Sequence, residues 1–159
     1  MSTAAQNLPT TPDETSLIAE QLRRAYRGPA WHGPPLKAIL LDVGEENALR
    51  RPPNGAHSIH EIVSHVAAWM RIARERLSAT EAREVSEEED WPEPNGSWTR
   101  TLQALDREER ELEEAIRQFP ASRLHERAPA VEPQTFYVLL HGIVQHTLYH
   151  AGQIILLNK

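Results

Sequence analysis

His146 and His150 stand four residues apart in HGIVQHTLYHAGQIILL (His141 to Leu157), a run otherwise apolar enough to be the buried stripe of a helix. Four helical residues advance about 400°, so the two imidazoles project about 40° apart from one face. His65 takes a similar core-facing position in SIHEIVSHVAAWM (Ser58 to Met70). Two imidazoles on one helix and a third on a facing helix is how a bundle builds a metal site in its core. An imidazole buried without a partner costs about 1–3 kcal/mol, and one shared ion explains all three burials. The alternative is three structural histidines that only hydrogen-bond. Neutral imidazole suits zinc, nickel, copper and iron, and a divalent ion, zinc or nickel first, is the expected cofactor. Three nitrogens leave positions open for water or substrate, as in catalytic zinc sites. An ion held that way lowers the pKa of a water or a thiol.

Other residues lie near this triad in the helical register. Glu61, one turn before His65, could orient a ligand or act as a base, but Ser58-x-x-Glu61 also matches a capping box, which accounts for it without chemistry. Gln153, three residues after His150, fits a hydrogen bond to a ligand and ordinary helix packing equally well. Tyr149 is a weaker candidate for the pocket rim. Trp69 could wall the pocket, although plain core is the first expectation. His32, in a loop, is a candidate for the pocket mouth. His60 and His141 lie about 140° around their helices from His65 and His146, which predicts surface or interface positions. His57 precedes the Ser58 cap and could pack on Ile62 as a staple. His125 gives no signal.

The elements that must position the triad read as helices separated by Pro/Gly-rich connections, with no strand alternation and no repeat. The first long helix is expected over Pro12 to Tyr26, with Pro and acids early and Gly28-Pro29 as its stop. Short helices follow at Leu36 to Leu41 and Glu45 to Leu49. The second long helix starts at the Ser58 cap and runs to about Ser78. Glu84 to Asn95 (EVSEEEDWPEPN) is acidic and proline-interrupted, and reads as an exposed crossover loop with a solvated acid run. The third long helix spans about Ser97 to Gln118 and the last about Pro133 to Leu157. The fold class is therefore all-α, a four-helix bundle with long crossover connections and short accessory helices. The 159 residues suit a single domain, with residues 1–11 as a flexible tail.

A net charge of −6 without a basic stripe argues against nucleic acid or an anionic membrane as partner. No cysteine is present, which excludes disulfides and thiolate metal sites. No apolar run approaches the roughly 20 residues of a membrane helix, and the first residues lack signal-peptide features. A cytoplasmic protein is the expectation.

At AHSIHEIVSHVAAW (Ala56 to Trp69) and HGIVQHTLYHAGQIILL the chain resembles the DinB/YfiT-like superfamily of four-helix metalloproteins. AWHGPPLKAIL (Ala30 to Leu40) and EDWPEP (Glu89 to Pro94) resemble one branch of it. The resemblance implies metal-binding histidines at His65, His146 and His150, a bundle with long crossovers, and frequent homodimers. His60 departs from the branch, where tryptophan is common. Some relatives are transferases or isomerases that use low-molecular-weight thiols; others are assigned as hydrolases. The resemblance thus implies a metal-dependent enzyme that activates a thiol or water, taking a small-molecule substrate or a low-molecular-weight thiol. A metal-dependent hydrolase and a non-catalytic ligand-binding metalloprotein are the alternatives.

Overall fold

The computed structural model describes residues 12–53, 55–94 and 96–159, so the tail expected at residues 1–11 lies outside the described residues. Seven α-helices occur among them: α1 (Glu14–Arg27), α2 (Leu36–Leu41), α3 (Glu45–Leu49), α4 (Ile59–Arg76), α5 (Glu87–Asp90), α6 (Trp98–Gln118) and α7 (Phe136–Leu157). A 3₁₀ turn, Ala121–Arg123, follows α6. Two isolated bridges, Arg83 with Ala130 and Arg127 with Thr135, are the extended pairings among the described residues. The chain is all-α.

The long helices start where side chains can satisfy free N–H groups. Asp13 Oδ1 accepts from the Ser16 N–H at 2.9 Å, and the caps of α6 and α7 are Ser97 and Thr135. Helix α4 carries the full capping box: the Ser58 hydroxyl accepts from the Glu61 N–H, and the Glu61 carboxylate accepts from the Ser58 N–H at 2.9 Å. Gly28 ends α1 with φ of 83°, and a Cβ there would stand 3.1 Å from Pro35 Cγ, so the left-handed turn and the close approach both favour glycine. The start of α7 falls three residues later than expected, at Phe136, where the Thr135 side chain caps it.

Helix α4 packs most extensively on α6 and also on α7, while α1 packs on the same two helices. The four long helices thus surround one core, with α1 and α4 on opposite corners. Leu22, Val63, Val66, Leu105, Leu112, Ile116, Leu140 and Ile154 are fully buried in it. Helices α2 and α3 lie within the α1–α4 connection, and α5 interrupts the α4–α6 crossover. No helix among the described residues is long and apolar enough to cross a membrane.

Two sequence expectations change here. His60 is buried, not at the surface: its Nε2 lies 2.7 Å from Thr101 Oγ1 and its ring meets Trp98 edge-on. A residue 140° from His65 faces solvent only on a helix with one buried face, whereas α4 is covered by α6 as well as α7, and His60 points to α6. The acidic segment from Glu84 is not simply a loop. Ser86 and Glu89 form a second capping box that starts α5, and this turn packs against α4.

Candidate metal centre

The α4 stripe and the α7 stripe meet where both carry histidine. His65 Nε2 lies 2.9 Å from His146 Nε2, and His150 Nε2 lies 3.1 Å from the same atom. One ligand nitrogen from each ring lies within 4.8 Å of the others, and this trio is the one group of its kind among the described residues. His65 and His150 are buried and His146 half-buried.

The outward ring nitrogens fix the inward ones. A backbone carbonyl only accepts, so His65 Nδ1–H donates to Asp90 O at 2.6 Å. His150 Nδ1–H donates to Gln153 Oε1 at 2.7 Å. With the protons on Nδ1, the Nε2 lone pairs of both rings face His146. Metal-ligating histidines are ordinarily held by such a bond from the other ring nitrogen. The Gln153 amide is steadied in turn, donating from Nε2 to Tyr149 Oη at 3.2 Å. Asp90 does double service: its carboxylate accepts from Trp69 Nε1 at 2.6 Å and stands 3.3 Å from His65 Nδ1.

Burial keeps the three rings neutral. It pulls His146 down to about 3, reinforced by its neighbours His150 and His65. Burial also lowers His150, to about 4, with the Gln153 bond opposing. His65 is lowered for the same reason, against the opposing Asp90 carbonyl. Neutral imidazole is the form that binds a metal.

The donors fit a divalent ion. Tetrahedral zinc, with nitrogens about 2.0–2.1 Å away, holds its ligand nitrogens about 3.3 Å apart. The two short separations here fall within a few tenths of an ångström of that value. His65 and His146 also line one end of a cleft of about 890 Å³, so the site has an open side. Trp69, Val138, Leu139 and Ile143 wall the same cleft. Trp69 is therefore a pocket wall rather than plain core, half-buried and with its ring 6.1 Å from that of His146.

The remaining candidates separate clearly. Glu61 is occupied by the capping box and by an ion pair with Arg51, so its capping role explains it. Tyr149 is exposed beside His150, at a ring separation of 5.1 Å. His32 is exposed in the α1–α2 connection and does not line the cleft. His57 stacks on Trp91 at a ring separation of 3.7 Å. His141 is half-buried against Tyr137.

Asp90 and Trp91 were missed from sequence. Trp91 lies flat on His65 at 3.9 Å, sandwiched between that ring and His57. Two signals were present: Ser86-x-x-Glu89 repeats the capping pattern of Ser58-x-x-Glu61, and a tryptophan inside an acid run has a reason to be buried.

Against known families, residues 35–154 match the model of the DinB superfamily. No curated protein and no solved structure matches the chain.

Proposed function

The chain belongs to the DinB superfamily, and on that premise we propose that it is a metal-dependent enzyme whose divalent ion is held by His65, His146 and His150. The observation that carries this reading is the convergence of three neutral imidazoles at the end of an open cleft, two of them with their outer nitrogens tied to oxygen acceptors. Purely structural histidines would not need a shared focus or an open side. When bound, the ion supplies Lewis acidity, which lowers the pKa of a thiol or a water. Nitrogen-only ligation suits zinc or nickel.

The protein's own groups supply position and environment. Asp90 and Gln153 hold the His65 and His150 rings. Trp91 covers His65 on one face. The Trp69, Leu139 and Ile143 walls give a substrate an apolar surface beside the triad. Thiol transfer is the reaction class we favour, by likeness to the family. The exposed apolar side chains Val138, Ile155 and Leu156 on α7 support a homodimer.

The test is turnover by metal-loaded protein. We expect a low-molecular-weight thiol to be transferred to an activated acceptor, and the rate to collapse in His146→Ala. Failure on thiol acceptors with turnover of an ester or amide panel would move the assignment to hydrolysis. Ligand binding without any turnover would make it a binding protein.

A further inference from the structure

The cleft that begins at the triad ends at an arginine with nothing to bind. Arg76 sits eleven residues after His65 on α4, which returns it to within about 20° of the same face. Its guanidinium carbon lies 5.7 Å from the Trp69 ring, which also lies 6.1 Å from the His146 ring. The guanidinium is thus no more than about 12 Å from His146, with Trp69 as the floor between them.

The neighbouring arginines are all engaged. Arg71 pairs with Glu75, Arg74 with Glu108 and Glu111, and Arg83 with Glu75 and Glu89. Arg76 is half-buried yet, among the described residues, has neither a carboxylate partner nor a hydrogen bond; its one contact of this kind is the Trp69 ring. A favourable position near the C-terminal end of α4 does not explain it, since Arg74 serves that end and is paired. Burial and repulsion by Arg83 both weigh against its charge, so the free protein carries an unrelieved cation there. Five donors in a planar fork, lining a cleft, are suited to a carboxylate. The rim acids Glu84, Glu87 and Glu132 are exposed, so water screens them more than it screens Arg76.

We propose that Arg76 is a carboxylate receptor, and that the cleft takes a small organic anion whose carboxylate lies on Arg76 while its reacting end meets the three histidines. The assignment rests on the reading of this cleft as the substrate site. The apolar walls between the two ends fit a short hydrocarbon or aromatic spacer.

The test compares two six-carbon probes of equal length, ω-mercaptohexanoate and ω-mercaptohexanol, by isothermal titration of the full chain with and without zinc. The zinc content of the same samples is measured. We expect the anion to bind at least about 10-fold more tightly than the alcohol. Arg76→Gln should remove that advantage and leave the alcohol's affinity unchanged, while Arg76→Lys, which keeps the charge and the stem over Trp69, should retain part of it. Equal affinity for the two probes, no binding of either, or an advantage that survives in Arg76→Gln would overturn the proposal. If no zinc is retained but an Arg76-dependent preference persists, the metal reading fails and the anion site stands. If zinc is retained and the probes bind alike, the anion site fails and the metal reading stands.

Discussion

Between α4 and α7 the bundle brings together three imidazoles, two of them buried and one half-buried; between α1 and α6 it buries the carboxylate of Glu109. In the first seam His65 and His150 find oxygen acceptors for their outer nitrogens, and the inner nitrogens converge on one point beside a cleft. In the second, Glu109 is fully buried, its two oxygens lack hydrogen bonds, and Arg27 Nε stands 3.4 Å away without one either. Arg27 is also shared with Glu113. Burial pushes the Glu109 carboxyl up to about 7, with Arg27 opposing and Glu113 and Asp106 reinforcing. Buried polarity by itself therefore does not mark a site. What distinguishes the α4–α7 seam is that its donors are oriented, share a focus and open onto space for a ligand.

The largest expected effect breaks the focus itself. His146→Ala or His150→Ala should weaken divalent-metal affinity by more than about 100-fold, beyond what loss of an orienting partner costs, as read by competition with a chromophoric chelator. Loss of orientation alone is smaller. Gln153→Leu leaves His150 in place but frees its Nδ1, and should cost about 10–100-fold in metal affinity. An unchanged affinity in Gln153→Leu would show that the second bond to His150 is incidental.

The two seams also oppose each other in pH. In the metal-free protein the His146 and His150 values lie below the unfolded imidazole value of 6.5. Their contribution to stability is fully present above about 6.5 and is lost as pH falls towards 4. Glu109 is raised from 4.5 to about 7. Its contribution is fully present below about 4.5 and is lost as pH rises through 7. Glu109→Gln should therefore steepen the rise in Tm that the histidines produce between about pH 4.5 and 6.5 and remove the opposing fall that continues to about 7, and a melting series across pH 4 to 8 checks it. A slope unchanged by the substitution would mean that Glu109 does not titrate there.

The smallest effect concerns the turn that holds His65. Ser86→Ala removes the cap of α5 and should cost about 1 kcal/mol or less in global stability. Faster hydrogen exchange at Glu89 and Asp90, with a few-fold loss of metal affinity, is the expected signature.

The long helices and the triad were legible because helical spacing was long enough to repeat. His146 and His150 share a face over six turns of apolar pattern, and His65 falls on the stripe that begins at a capping box. The rest failed for physical reasons that differ by residue. A four-residue helix such as α5 has no period, so Asp90 and Trp91 were hidden inside a run that reads as solvated acid. His60 was misplaced because a helix packed on two sides has no single inward direction. Trp69 looked like core because the sequence does not show the cleft that the crossover leaves beside it. Arg76 was unremarked for the same reason: a lone arginine on a helix becomes informative only when its neighbours are seen to be paired.

The most direct test of the proposed metal centre is metal analysis of protein purified without an affinity tag, combined with melting in the presence and absence of added zinc or nickel. We expect about one divalent ion per chain and a Tm that rises with added metal, the rise being absent in His146→Ala. No stoichiometric metal together with no metal-dependent rise, or an equal rise in His146→Ala, would contradict it.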